Sequence, residues 1–138
     1  THLIPLILSV ADQKGAVIDV FGTDYDTPDG TAVRDYIHVT DLGSAHVAAC
    51  KYLFKNGQSA FYNLGNGHGF SVLQIIEAVR AVTNKRVDVN YSDRRPGDPP
   101  ILVGDARKAM KELNWEPEFS GLDTIVRSAW AWFKKREF

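Results

Sequence analysis

Cysteine is almost absent from this sequence. Cys50 stands alone among 138 residues, so an internal disulfide or a cysteine-built zinc cluster is excluded, and the usage fits a reducing compartment. An excess of one charge is lacking too: 16 Lys and Arg stand against 17 Asp and Glu, for a net charge of −1. With the charges interspersed, the basic stripe of a nucleic-acid binder is not there. No hydrophobic run is long. The stretch from Leu3 to Val10 is too short to cross a bilayer, and no basic region precedes it as in a signal peptide. His2, His38, His46 and His68 show no metal-ligand spacing, and no tyrosine has a lysine four positions later. These absences lead us to expect a cytoplasmic protein with no metal, no membrane segment and no nucleic-acid partner.

What is present suits one domain. Apolar residues make up 44% of the chain, and a chain of this size buries roughly 68–70% of the surface it exposes when unfolded, enough for a core without staples. Helical character begins within two residues of Thr1, which reads as a piece of a longer polypeptide. Leu122, Ile125, Val126, Ala129, Trp130 and Phe133 recur at helical spacing. A second helix is predicted after Ser71, its cap, with Val72, Ile75, Ile76, Val79 and Val82 inward and Asn84 at its end. A third runs from about Asp41 to Asn56, capped by Thr40 or Asp41, with Leu42, Ala45, Ala49 and Leu53 inside and Gly57 as its stop. Strands are predicted over 17–21, 34–39, 60–64 and 87–91, where β-branched and aromatic residues gather. Alternating helices and strands imply an α/β or α+β layer structure with helices on a small sheet. Cys50, Trp115, Trp130 and Trp132 read as core residues.

Two polar connections stand out, residues 22–31 and 92–100, both rich in Gly, Pro and Asp. Just after the first, alternation puts Arg34, Tyr36 and His38 on one side of a strand and Asp35, Ile37 and Val39 on the other. Guanidinium beside phenol and imidazole suits an anion, because arginine presents a planar fork of donors to phosphate oxygens. An ion pair with a nearby carboxylate fits the same residues. In the second connection, Arg94-Arg95-Pro96-Gly97-Asp98 offers what a nucleoside diphosphate needs, cations for the phosphates and a carboxylate for ribose hydroxyls; a solvated turn is an equal description. Gly65, Gly67 and Gly69 fall at the first, third and fifth positions of their loop, whereas a dinucleotide-binding loop needs the first, third and sixth. They read instead as a tight turn of positive φ.

Taken together, Phe21-Gly22-Thr23-Asp24-Tyr25, Asp29-Gly30-Thr31, Val33 to Val39 with Asp41-Leu42, Tyr62-Asn63-Leu64-Gly65 and Arg94 to Asp98 resemble the C-terminal half of UDP-glucose 4-epimerases, which are extended short-chain dehydrogenase/reductases. The resemblance runs from about His2 to Trp132. It implies a small mixed α/β substrate-binding domain over residues 1–138, lacking the N-terminal Rossmann domain that binds NAD, and an enzyme that interconverts UDP-glucose and UDP-galactose through a 4-keto intermediate as a homodimer. The UDP-hexose site it implies comprises His2 and Leu3 near the nucleotide, Asp19, Val20 and Phe21 at the uracil, Arg34 and Arg95 on the diphosphate, and Asp98 on the ribose. Tyr36 lies near the site, and Leu102 stands where side-chain size bears on N-acetylated sugars. His2 replaces the family's usual Asn. No catalytic residue is nominated, because the Tyr/Lys pair and the glycine loop are not here. The alternatives are the substrate domain of another nucleotide-sugar epimerase or dehydratase, and a noncatalytic binding module.

Overall fold

The computed structural model describes residues 2–135. Helix α1 (Leu3–Asp12) leads into β1 (Val17–Phe21), then β2 (Val33–Arg34), α2 (Val39–Asn56), β3 (Phe70–Ser71), α3 (Val72–Thr83), β4 (Asp88–Ser92), β5 (Ile101–Leu102), α4 (Arg107–Leu113) and α5 (Leu122–Lys134). The predicted α/β class holds, with two small sheets rather than one. In the first, β1 runs parallel to β4, Val17 opposite Asp88 and Phe21 opposite Ser92. In the second, β2 is central, antiparallel to β3 and parallel to β5.

The larger core collects the apolar faces of α1, α3 and α5 against β1. Ile7, Leu8, Val20, Ile75, Ile76, Val79 and Val126 are fully buried there, each stabilising the fold by about 1.5–3 kcal/mol. Ser71 caps α3 through a complete capping box: its hydroxyl accepts the Gln74 amide at 3.1 Å, and Gln74 Oε1 accepts the Ser71 amide at 2.8 Å. Asn84 closes α3 at φ 52°, its amide donating to the Arg80 carbonyl. A smaller core joins α2 to α4 through Ala45, Ala106, Ala109 and Trp115.

Several expectations need correction. The predicted strand over 34–39 is a ladder only at Val33–Arg34; beyond it the Tyr36 carbonyl accepts from the Asn66 side chain and not from a neighbouring strand. His38 then caps α2, accepting the Thr40 amide at Nδ1 and meeting Ser128 Oγ through Nε2 at 2.8 Å, so the helix starts two residues before the predicted Asp41. The 60–64 segment forms no strand, because no strand lies beside it among the described residues. Cys50 is exposed, as are Leu53 and Trp132 at 46% and 70%. Only Ala45 of the predicted inner face of α2 is buried, Leu42 and Ala49 being half-buried. Helix α4 and the two-residue strands β3 and β5 were not predicted. None of the helices among the described residues is long and apolar enough to cross a membrane.

Candidate functional site

Beside β1 lies an open cleft of about 500 Å3, within the usual range of small-ligand sites, roughly 300–1,000 Å3. The pleat of β1 builds one side. Ile18 and Val20 turn into the core while Val17 and Asp19 stay exposed and Phe21 is half-buried. Asp19 is held by Asn90, whose Nδ2 donates to Oδ1 at 2.7 Å. Leu3, Leu6 and Val10 of α1 supply an apolar side, and Arg34, Tyr36, Arg95 and Asp98 supply the polar groups.

The two cleft arginines are held differently. Arg34 donates from Nη1 to the carbonyls of Val33 at 2.8 Å and Pro99 at 2.9 Å, and its Nη2 lies 3.5 Å from Asp98 Oδ1. It is a guanidinium tied by its own strand and by the 92–100 connection. Arg95 has its guanidinium carbon 3.8 Å from the centre of the Phe21 ring, a cation–π stack. Its neighbour Arg94 turns elsewhere, pairing with Asp24 at 2.6 Å and covering the Tyr25 ring at 4.4 Å. That pairing holds the Asp24 carboxyl below its usual range through the arginine's hydrogen bond. Gly22 permits the packing: with φ at +83°, a Cβ there would sit 2.5 Å from the Tyr25 ring and 2.8 Å from Arg94 Cγ.

Burial raises the Tyr36 phenol to about 12, with Arg34 acting in the opposite direction. Near neutral pH this group is a hydrogen-bond donor and not a base. The cleft therefore presents cations, an aromatic face, carboxylates and a protonated phenol. That set can grip a diphosphate and orient a ring and hydroxyls, and it holds no activated nucleophile.

The Gly65–Gly69 loop does not fit a dinucleotide. Added Cβ atoms would lie 2.1 Å from Asp35 Oδ2 at Gly65 and 2.5 Å from Val33 Cγ1 at Gly69, so both glycines make room for this chain's own side chains. Gly67 alone among the three has positive φ, at +81°, which corrects the expectation of a turn built on all of them.

Of the ten predicted site residues, the fold brings Leu3, Asp19, Val20, Phe21, Arg34, Tyr36, Arg95 and Asp98 to one cleft. Two stand apart. His2 is exposed at the start of α1 with no side-chain capping bond, and Leu102 sits on β5, 60% exposed, paired in register with Arg34 outside the cleft. His38, aligned by alternation with Arg34 and Tyr36, instead packs on α5. Leu6 and Val10 were missed as cleft residues. Their helical spacing, Leu6 three positions after Leu3 and Val10 four after Leu6, was the available signal.

A family model described as GDP-mannose 4,6 dehydratase matches residues 1–128, and the chain belongs to that family of extended short-chain dehydrogenase/reductases. The chain is 47% identical over 135 residues to a UDP-glucose 4-epimerase of Halalkalibacterium halodurans, covering 98% of this chain and 40% of that protein. Among solved structures, a UDP-glucose 4-epimerase superposes with a TM-score of 0.94 at 51% identity, over 99% of this chain and 41% of that one. The enzyme of Stenotrophomonas maltophila, with bound NAD and formylated UDP-arabinopyranose, superposes with a TM-score of 0.91 at 42% identity, over 97% of this chain and 40% of that one. The chain thus spans about 40% of the length of the relatives it matches.

Proposed function

We propose that residues 1–138 form the UDP-hexose-binding domain of a UDP-glucose 4-epimerase, which interconverts UDP-glucose and UDP-galactose. The observation that carries this reading is the convergence on one cleft of Phe21 at the end of β1, Arg34 on β2, and Arg95 and Asp98 from the 92–100 connection. Arg34 and Arg95 bind the diphosphate as a charged pair. Phe21, with Asp19 and Val20, lines the uracil pocket, and Asp98 accepts hydrogen bonds from the ribose hydroxyls. Tyr36 stays protonated and donates toward the sugar side. Leu3 supplies an apolar edge, while His2 and Leu102, outside the cleft, keep only a peripheral part in contacts and sugar size selection.

The reading assigns NAD, which supplies reversible hydride transfer at the sugar, to residues outside this chain. What this chain does is anchor UDP through remote contacts and leave the hexose loosely held, so that the sugar can turn without the substrate being lost. A cytoplasmic homodimer completes the proposal. Titration of the isotopically labelled chain with UDP-glucose, followed by two-dimensional amide NMR and repeated with Arg34→Ala, tests it. Saturable shifts in the parent that vanish in the variant support the site; dispersed peaks unmoved in both overturn autonomous binding by this chain and shift the decision to the epimerase assay.

A further inference from the structure

The aspartate between Arg34 and Tyr36 faces away from the cleft. Asp35 Oδ1 accepts the Asn66 amide at 3.3 Å, and Oδ2 accepts the Gly104 amide at 3.2 Å. The carboxylate fills the space that side chains would need: a Cβ at Gly65 would lie 2.1 Å from Oδ2, and one at Gly104 would lie 3.4 Å away. The first is a clash, and the second is an ordinary contact. Asn66 adds another tie. Its Nδ2 donates to the Tyr36 carbonyl at 2.9 Å, and its own Oδ1 accepts the His68 amide at 3.0 Å.

The backbone is therefore bound on both sides of Asp35. Arg34 is paired with Phe70 and Leu102 in the sheet, and Tyr36 is held by Asn66. Where the regular ladder ends, the Asp35 carboxylate supplies the cross-links that a neighbouring strand would have made. It joins the stretch to the Gly65 loop and to the segment after β5. Shifting it by one residue would turn Arg34 and Tyr36 out of the cleft, since alternate side chains face opposite ways.

We propose that Asp35, seated on Gly65 and Gly104, is a positioning residue for diphosphate recognition, fixing the backbone from which Arg34 and Tyr36 enter the cleft. This rests on the UDP-binding reading above. It gives Gly65 a specific task, that of leaving room for a carboxylate.

Calorimetric titration with UDP and, separately, with uridine tests the proposal in the protein carrying this chain. Uridine lacks the phosphates, so a fault confined to Arg34 placement spares it. Asp35→Ala is expected to weaken UDP about tenfold or more and uridine by less than about twofold. Gly65→Ala, which pushes the carboxylate from the opposite side, is expected to give the same pattern, and Gly104→Ala to leave both affinities near the parent's. Asp35→Asn keeps one accepting oxygen and the same volume. It should show a smaller selective loss of UDP, and it carries the test if the alanine variant does not fold. Asp35→Ala and Gly65→Ala proteins that bind UDP as tightly as the parent, or that lose UDP and uridine in equal proportion, overturn the positioning role alone. A parent that does not bind UDP overturns the underlying reading and this one with it.

Discussion

The two polar connections of this chain have similar compositions and opposite constructions. Residues 22–32 are bolted down from within. Asp29 Oδ1 accepts both the amide and the hydroxyl of Thr31, at 2.9 and 2.7 Å, while Oδ2 accepts the Ser71 hydroxyl. Thr27 donates to the Thr31 carbonyl at 2.8 Å, and the Tyr25 amide donates to the Gly30 carbonyl at 3.0 Å. Thr31 and Ser71 are buried. Residues 93–100 are exposed throughout, and their own internal tie is the Asp98 amide on the Arg95 carbonyl at 3.3 Å. They are held mainly through arginines, Arg34 reaching in and Arg94 reaching out. One connection is scaffold and the other lends Arg95 and Asp98 to the cleft, a difference that composition alone does not display.

The largest expected effect concerns Arg34, which ties the second connection to β2. Arg34→Ala should weaken UDP binding by about 2–4 kcal/mol in calorimetric titration, because a desolvated diphosphate loses a charged partner. Next is the rigid connection itself. Gly30 has φ +77° and an added Cβ would lie 2.2 Å from the Thr23 carbonyl oxygen, so Gly30→Ala should cost roughly 3 kcal/mol in urea unfolding. Gly97 has φ +84° and nothing within 4 Å, so the same substitution there should cost only about 1 kcal/mol. Equal losses at the two glycines would erase the distinction between the connections.

A smaller effect is expected in acid. Partial burial raises the Asp29 carboxyl, but hydrogen bonds from Ser71 and Thr31 outweigh it and leave the group below its ordinary value of 3.8. Its contribution to stability is therefore complete above that value and is lost as pH falls toward the lower folded one. Asp29→Asn should lower the unfolding midpoint at neutral pH and flatten its acid limb, so that variant and parent converge as pH falls. The smallest effect is expected for Arg94→Ala, since both Arg94 and Asp24 are solvent-exposed and screened. Its unfolding midpoint should stay close to the parent's. A marked drop would place the second connection among the structural elements after all.

The sequence disclosed helices better than strands, for physical reasons. Ser71, Asn84 and Gly57 are local signals, and α3 and α5 carry long apolar stripes, so both could be read one residue at a time. A strand depends on a neighbour. The 60–64 run has the right residues and, among the described residues, no partner strand, whereas β3 and β5, two residues each, exist only because β2 lies between them. Helix α4, Arg-Lys-Ala-Met-Lys-Glu-Leu, buries only Ala109 and gives too short a period to notice. Cys50 failed because α2 rests on a narrow alanine seam, leaving neighbouring positions such as Val47 and Phe54 outside. In the cleft, the arginines and Asp98 were legible from charge and turn chemistry. The Arg95–Phe21 stack and the Asp35 seat were not, because their partners lie 30 to 74 positions away in the chain.

Arg34 is bonded before any ligand arrives, its Nη1 already on two carbonyls. A free arginine side chain gives up about 2 kcal/mol of rotamer entropy when it is immobilised, and here that loss belongs to folding and not to binding. Phosphate capture by this group should accordingly show little conformational-entropy penalty in calorimetry. A lysine in its place would restore the charge and still have to be immobilised by each ligand anew.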